Sequence, residues 1–515
     1  MHTRVTLRFG KRIYEYDIYS LLKAFWPDAE ISLRYTEDCA QHEAELREVP
    51  DAQIVCEILF AESASGEQEY RFRVLPCDEH GAAVLSLAPG SEITKRTVIP
   101  AGTEKIAAKN RVKEMVYRTM AEQTGRELPW GDLTGIRPVR LMSGLLQKGM
   151  TGEEAMRYMR GTWFVSERKA QLALATAERE EEILRGLAPE QGWSLYIGIP
   201  FCPTICLYCS FGSHPLALWK DRVDAYLDAM SAEMRAVAEI MKGRRLDTVY
   251  IGGGTPTSLT ERQLLRLLED TSEIFPVGDL REFTVEAGRP DTITREKLKI
   301  LKQFPVDRIS VNPQTMNPQT LERIGRKHTV EETVQAFGWA REAGFTNINM
   351  DLIVGLPGEG EAEVAHTLEE IRELSPDSLT VHSLALKRAT RLHLYRDAYE
   401  EESFRNSEQI MGMAEACASD LGMTPYYLYR QKNIAGNFEN VGYARKGKAC
   451  LYNILIMEQR QTIVGVGSGA STKLIFGSGD RVDRVENVRD LKQYLERTEE
   501  MIERKKTGMA EYLSE

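Results

Sequence analysis

An α/β fold built on a curved parallel sheet is what this sequence predicts, and three observations predict it. From residue 194 to about 384, short apolar or β-branched runs alternate with longer stretches whose apolar residues recur every three or four positions. Each longer stretch has the length of a right-handed crossover, which makes consecutive strands parallel. The residues best suited to chemistry fall just after the strands. The strands are expected at 194–199, 247–251, 282–286, 307–311, 347–354 and 378–384, with helices at 220–242, 260–274, 294–303, 330–343 and 361–373. Six strands joined in this way form either an open partial barrel or a doubly wound sheet. In both, ligands bind at the carboxyl ends of the strands.

The flanking regions read differently. Residues 1 to about 95 read as short strands with turns, at 4–9, 53–60 and 69–75. Helical spacing follows at 106–123, 153–159 and 165–187, broken by the Gly-Ile-Arg-Pro stretch at 135–138. Past about 425 the chain turns aromatic and glycine-rich, with a strand at 461–466 and an amphipathic helix at 487–505. This gives three regions: an amino-terminal α+β region over 1–190, the βα core over 191–425, and a carboxy-terminal α/β extension over 426–515.

Bulk properties exclude several classes. The 515 residues carry a formal charge of −11, with 42% hydrophobic and 28% charged residues. So negative a chain has no general field for a phosphate backbone, and its first 190 residues are not the basic appendage an RNA-modifying enzyme needs. Nucleic acid is therefore not the expected partner. No window reads as a membrane span, and the start alternates like a strand instead of carrying a leader's apolar stretch. The expected location is the cytoplasm. Eight cysteines in so long a chain are no disulfide framework. Cys39, Cys56, Cys77, Cys417 and Cys450 are scattered, as small buried residues usually are.

The other three cysteines share one loop. Directly after the first core strand comes Cys202-Pro-Thr-Ile-Cys206-Leu-Tyr-Cys209. Thiolates at these spacings can converge on one inorganic centre. Protein-held [4Fe–4S] clusters mostly use four cysteines, so a set of three leaves one iron open to a substrate or cofactor. The rival is structural zinc, with His214 completing a Cys₃His set.

Further candidates follow the later strands. Gly252-Gly253-Gly254-Thr255-Pro256-Thr257 lets backbone approach a ligand, or simply makes a tight turn. Glu286 ends the third strand, where a carboxylate can accept from ligand hydroxyls or an ammonium group. Gln314 can both donate and accept, and Arg326 can pair with a carboxylate or complement a helix dipole. Asp351 lies inside an apolar strand, where a carboxylate is costly unless bonded.

Together these segments carry a resemblance. The Cys-x3-Cys-x2-Cys spacing, with Tyr208 before its last cysteine, resembles the signature of the radical S-adenosylmethionine (SAM) superfamily. The string Tyr196-x-x-Ile-Pro-Phe-Cys202 resembles one branch, the oxygen-independent coproporphyrinogen III oxidase-like family. The likeness continues in order to Ser471, through GGGTPT, Arg308-Ile-Ser to Gln314, Gly325-Arg326-Lys-His328, Asn349-x-Asp351-Leu-Ile-x-Gly-Leu-Pro357 and Gly465-x-Gly-x-x-Ala-Ser471. Where the family has E-A-N-P, this chain reads Glu286-Ala-Gly-Arg-Pro290, one residue longer. The resemblance is strongest to the HemZ type. Leu133 to Val139, Tyr429 to Asn433, Gly436, Glu439-Asn440 and Cys450-x-Tyr452-Asn453 share its text.

The resemblance implies a partial (βα)6 parallel barrel of the radical SAM type, with a [4Fe–4S] cluster held by Cys202, Cys206 and Cys209 and SAM on its open iron. It implies that Tyr196, Tyr208, Gly253, Gly254, Thr255, Glu286, Gln314, Arg326, Asp351 and Ser471 surround that cofactor. It assigns no catalytic residue beyond these. The implied reaction is oxidative decarboxylation of two propionates of coproporphyrinogen III to the vinyls of protoporphyrinogen IX. A tetrapyrrole substrate and an electron donor such as flavodoxin or ferredoxin are the implied partners. Two departures bear on the substrate: Gly198 stands where decarboxylating members have histidine, and Phe211 where they have a fourth cysteine. Relatives lacking these features include haem chaperones and enzymes that methylate or open haem. Lys387, Arg388 and Arg391 could meet substrate carboxylates, although an exposed basic loop is the plainer reading.

Overall fold

The computed structural model describes residues 3–27, 29–35, 54–76, 93–135, 137–210, 212–385, 406–431, 434–477, 479 and 481–514. Lys387, Arg388 and Arg391, together with Cys39, Cys77 and Phe211, lie outside the described residues. The chain divides into two units: Met1–Pro138 with Leu145–Leu172 and Gln431–Phe438, and Val139–Gly144 with Ala173–Arg430 and Glu439–Glu515.

In the first unit, strands β1 (Arg4–Phe9), β2 (Glu30–Tyr35), β3 (Ile54–Glu62), β4 (Gln68–Pro76) and β5 (Ile93–Ile99) lie in the order β2-β1-β3-β4-β5. β1 runs parallel to both neighbours, while β4 runs antiparallel to both β3 and β5. Alternate residues Val5, Leu7 and Phe9 of β1 enter a core with Ile18, Leu21, Leu22 and Phe25 of the helix Glu15–Phe25. Val112, Val116 and Met120 of the helix Lys105–Thr124 complete it. That first helix corrects the expectation of strands and turns alone. Parallel β1 and β2 need a crossover between them, and positions 18, 21, 22 and 25 share one helical face.

Another expected break also proves constructive. Pro138 opens the helix Pro138–Gln147 in its first turn, where a missing N–H costs no hydrogen bond.

The second unit continues with β6 (Gly192–Ile199), β7 (Phe201–Cys202), β8 (His214–Pro215), β9 (Arg245–Gly253), β10 (Glu282–Glu286), β11 (Arg308–Ser310), β12 (Ile348–Val354) and β13 (Ser378–Ser383). After these come β14 (Thr424–Tyr429), β15 (Asn440–Ala444), β16 (Thr462–Val466), β17 (Ser471–Phe476) and β18 (Arg481–Glu486). The parallel run β6-β9-β10-β11-β12-β13 keeps chain order from one side to the other. A doubly wound sheet reverses its order at a switch point. Here no reversal occurs, so successive right-handed crossovers put their helices on one face. That is the partial barrel.

It stays open. β15 and β14 add antiparallel beyond β13, while β16 lies parallel to β6 and carries β17 and β18 antiparallel at the opposite edge. The carboxy-terminal stretch therefore serves both edges of one sheet. Its expected helix at 487–505 is instead two, Leu491–Glu496 and Thr498–Ser514, the first started by the Asp490 side chain accepting from Gln493 N–H. Among the described residues, no helix is long and apolar enough to cross a membrane.

Candidate active site

The cysteine loop leaves β6 through Pro200 and is held on two sides. Gly254 N–H donates to Ile199 O at 2.7 Å and Thr255 N–H to Phe201 O at 2.8 Å, which docks the glycine segment on the start of the loop. Leu207 N–H donates to Ile324 O at 3.0 Å and the Thr204 hydroxyl to Gly325 O at 3.2 Å, which ties down its middle. The glycines are used by this packing. A Cβ on Gly254 would meet Phe201 O at 2.5 Å, and Gly253 has φ +112, a conformation that disfavours other residues.

Cys202 and Cys206 are buried and Cys209 is half-buried, all with free thiols. Each has a polar neighbour: Cys202 the Thr255 hydroxyl at 3.7 Å, Cys206 the Arg289 guanidinium at 3.7 Å, and Cys209 the Ser213 hydroxyl at 3.8 Å. Burial pushes the Cys202 thiol up to about 11, against the lowering contact of Thr255; the other two sulfurs lie within electrostatic reach and raise it further. Among the described residues, no three His, Cys, Asp or Glu side chains converge tightly enough to hold a single ion. Zinc gathers all its ligands at about 2.0–2.3 Å from one point, and His214 instead packs its ring against Trp219. Thiolates bound to separate irons of one cube stand farther apart. Three free thiols on one loop, with a polar contact on every sulfur, suit thiolate ligands of such a cluster.

Beside the loop, the barrel's inner wall carries two acids. Glu286 Oε1 accepts from the Tyr250 hydroxyl at 2.6 Å, and Oε2 from Gly253 N–H at 3.3 Å. Burial raises the Glu286 carboxyl from 4.5 to about 7, with Asp351 adding to the rise against the lowering bond from Tyr250. Asp351 accepts from Asn349 Nδ2 at 2.7 Å. Two carboxylates within mutual influence in a low-dielectric wall favour a cationic ligand.

The raised Glu286 has a sign that can be tested. Between pH 4.5 and about 7 the folded chain binds a proton that the unfolded chain has released, so this group's contribution to stability falls as pH rises through that window. Glu286→Gln is expected to raise ligand-free stability at pH 8 by on the order of 2 kcal/mol, discounted for water entering the lumen. The difference should shrink towards pH 5 in thermal unfolding followed by circular dichroism. A gap that widened on acidification would contradict the assignment.

Gln314 lies beside Asp351. It is a non-glycine residue at φ +69 whose backbone bridges to β12, with Gln314 N–H to Asp351 O at 3.0 Å and Ile353 N–H to Gln314 O at 2.9 Å. Its side-chain oxygen is buried without a partner, as are Thr284 Oγ1 and Ser310 Oγ on β10 and β11. Strain and orphaned acceptors concentrate where ligands bind. Arg326 donates to the carbonyls of Asn312, Pro313 and Gly288, and its Nε is buried without a partner. Tyr208 packs with Leu207, Ile324, Ile353, Leu356 and Leu384. Ser471 stands apart: its hydroxyl donates to Glu486 at 2.8 Å on the surface, and only its backbone approaches Gly465, the partner of Tyr196 in register.

Apart from Tyr196, the inner-wall residues that follow were not assigned to the site from the sequence. Tyr196, Tyr250 and Tyr452 stack, with centroids 6.3 Å, 6.4 Å and 4.5 Å apart. Below them Glu282 accepts from Leu451 N–H, Tyr452 N–H and the Cys450 thiol at 2.6 Å, 3.2 Å and 3.3 Å. Cys450 is thus part of a polar network, not mere filling. Arg308 is fully buried beside Glu282, Cys450 and Tyr426. The available signal was strand parity. Tyr196 pairs with Tyr250 and Thr284 with Arg308, so polar residues on one face of successive parallel strands marked a lined lumen.

The model of the Radical SAM superfamily matches residues 196–371. The chain is 40% identical over 460 residues to the oxygen-independent coproporphyrinogen-III oxidase-like protein HemZ of Bacillus subtilis, covering 87% of this chain and 92% of that protein. It is also 40% identical over 233 residues to the heme chaperone HemW of Bacillus subtilis, covering 43% of this chain and 60% of that protein. Among solved structures, coproporphyrinogen III oxidase (HemN) from Escherichia coli aligns with a TM-score of 0.49 at 26% identity, over 63% of this chain and 73% of that one. Since the likeness to HemZ spans nearly all of both proteins, the chain belongs to the oxygen-independent coproporphyrinogen-III oxidase-like family, a branch of the radical SAM superfamily that works with a [4Fe–4S] cluster and SAM.

Proposed function

We propose that this chain is a radical SAM enzyme of tetrapyrrole metabolism that decarboxylates coproporphyrinogen III to protoporphyrinogen IX without oxygen. The observation that carries this reading is the likeness to HemZ over 87% of the chain, amino-terminal region included. Cys202, Cys206 and Cys209 would hold the cluster, and Gly253, Gly254, Thr255, Glu286, Gln314 and Asp351 would surround SAM. When bound, the two groups supply a 5′-deoxyadenosyl radical that takes hydrogen from a propionate side chain, with the electron coming from a donor such as flavodoxin or ferredoxin.

The chain's own residues support that task by position. Glu286 and Asp351 offer negative charge to the ammonium and sulfonium of SAM, and the orphaned Gln314 oxygen offers an acceptor to a hydroxyl. The stacked Tyr196, Tyr250 and Tyr452 wall off water from the lumen. Tyr208 would act by packing the cysteine loop in place and Arg326 by fixing the turns after β10 and β11, instead of by direct contact.

A second reading rests on the 40% identity to a heme chaperone over 233 residues, and on Gly198 standing where decarboxylating members have histidine. In it the chain carries or modifies haem. One assay separates the two. Anaerobically reconstituted protein is given SAM, a reductant and coproporphyrinogen III, and vinyl products and deoxyadenosine are measured together. Both should accumulate. Deoxyadenosine without decarboxylation would remove this substrate, and haem retention without either product would favour the chaperone.

A further inference from the structure

Arg289 occupies the turn after β10 that is one residue longer than the family pattern. Its side chain is almost wholly buried, at 3% exposure. Nε and Nη2 form two parallel bonds to Asp291, at 2.9 Å and 2.8 Å. Nη1 faces the other way, into the cysteine loop, donating to Thr204 Oγ1 at 3.1 Å, Thr204 O at 3.4 Å and Cys206 Sγ at 3.7 Å. The ion pair is therefore oriented, with its positive end on a sulfur and its negative end turned towards the surface, where Asp291 is 18% exposed.

The neighbouring cation is aimed elsewhere: Arg326 donates to the carbonyls of Asn312, Pro313 and Gly288. His328 faces Arg326, Asp291 and Arg289, and burial, with Arg326 adding to it, pushes its imidazole down to about 3, so it is neutral. Reduction potentials of iron–sulfur clusters depend on net charge, hydrogen bonds to sulfur and exposure. A donor aimed at a ligand sulfur stabilises the more negative, reduced form, and burial protects that effect from salt.

Resting on the family reading above, we propose that Arg289 is a positioning residue that anchors the cysteine loop and raises the reduction potential of the cluster held there, while Asp291 moderates it. The step affected is a single-electron transfer: a low-potential donor loses one electron, the cluster gains it, and no bond changes.

The test is a redox titration of the anaerobically reconstituted full chain with dithionite, followed by electron paramagnetic resonance. Arg289→Met should lower the reduced-to-oxidised ratio at a fixed potential about tenfold, or ~59 mV for one electron. Asp291→Asn, which leaves the cation less balanced, should shift it the opposite way, and Arg289→Lys should recover part of the loss. A merely structural role would move the first two variants in the same direction. That outcome, or unchanged potentials in variants with full iron content, overturns the proposal. If Arg289→Met fails to hold a cluster, Asp291→Asn decides: a rise supports the proposal, and no change or a fall overturns it. A wild-type chain that holds no cluster defeats the family-based reading as well, which keeps the two failures distinct.

Discussion

Replacing Cys206 by alanine is expected to abolish SAM cleavage and remove most of the iron from anaerobically purified protein. Losing an outer hydrogen bond around a metal typically costs about 10–100-fold in affinity or activity, and losing a ligand must exceed that. The same loss is expected for Cys202 and Cys209, because a three-thiol site has no spare ligand to recruit. Cys206 is buried beside Arg289, so alanine also leaves a guanidinium facing an empty position. Cys417→Ala is the control. That thiol is buried against Leu368 O at 3.6 Å, remote from the cysteine loop in contacts, and its removal should leave iron content and deoxyadenosine release unchanged. The measurement is iron and sulfide content with deoxyadenosine quantified by chromatography. Wild-type turnover in Cys206→Ala would sink the site, as would wild-type protein loaded with zinc through His214.

The second large effect is on stability. Lys505→Met is expected to destabilise the barrel unit by about 3–5 kcal/mol, the usual cost of stranding one member of a buried ion pair. Lys505 and Glu233 are 1% and 0% exposed, and Lys505 Nζ lies 2.5 Å from Glu233 Oε1. Glu233 also accepts from Asn487 Nδ2 at 2.7 Å, Tyr494 hydroxyl at 2.6 Å and Gly467 N–H at 2.9 Å. This network joins the helix Val223–Ile240 to the glycine-rich loop and the last helix, Thr498–Ser514. Removing Lys505 leaves a carboxylate with neutral donors only. A drop in melting temperature on the order of 5–10 °C should follow, with faster amide exchange at Gly467. Adding Glu233→Gln should recover part of the loss, since it removes the stranded charge while the amide oxygen can still accept from the Tyr494 hydroxyl and Gly467 N–H, the pair that Oε2 serves. A Lys505→Met variant as stable as wild type would show that the network contributes little.

The legible part of this protein was local. Alternation and crossover length placed the six core strands, with 282–286 recovered residue for residue, because strand and helix periods are properties of a few neighbouring positions. The cysteine trio was equally plain, since its three ligands lie within eight positions. The helix Glu15–Phe25 was missed because Tyr16, Ile18, Tyr19 and Phe25, types that favour strands, crowd so short a run. Ser471 was grouped with the cofactor on a motif, yet its hydroxyl is engaged by Glu486 through the pairing of β17 with β18. Nothing in the motif itself reports that pairing.

By itself, then, the sequence determined the chemistry class: three closely spaced thiols after a parallel strand, followed in order by glycines, a glutamate and an aspartate at later strand ends. Only the folded chain decided the winding. The unbroken strand order makes a partial barrel where spacing alone left a doubly wound sheet open. Folding also decided the surroundings of each sulfur and acid. Arg289 meets a cysteine 83 positions away, Tyr250 meets a glutamate 36 away, and Lys505 meets a carboxylate 272 away. Such contacts follow from how helices and strands pack, and packing is a property of surfaces brought together by the whole chain, which no local pattern encodes.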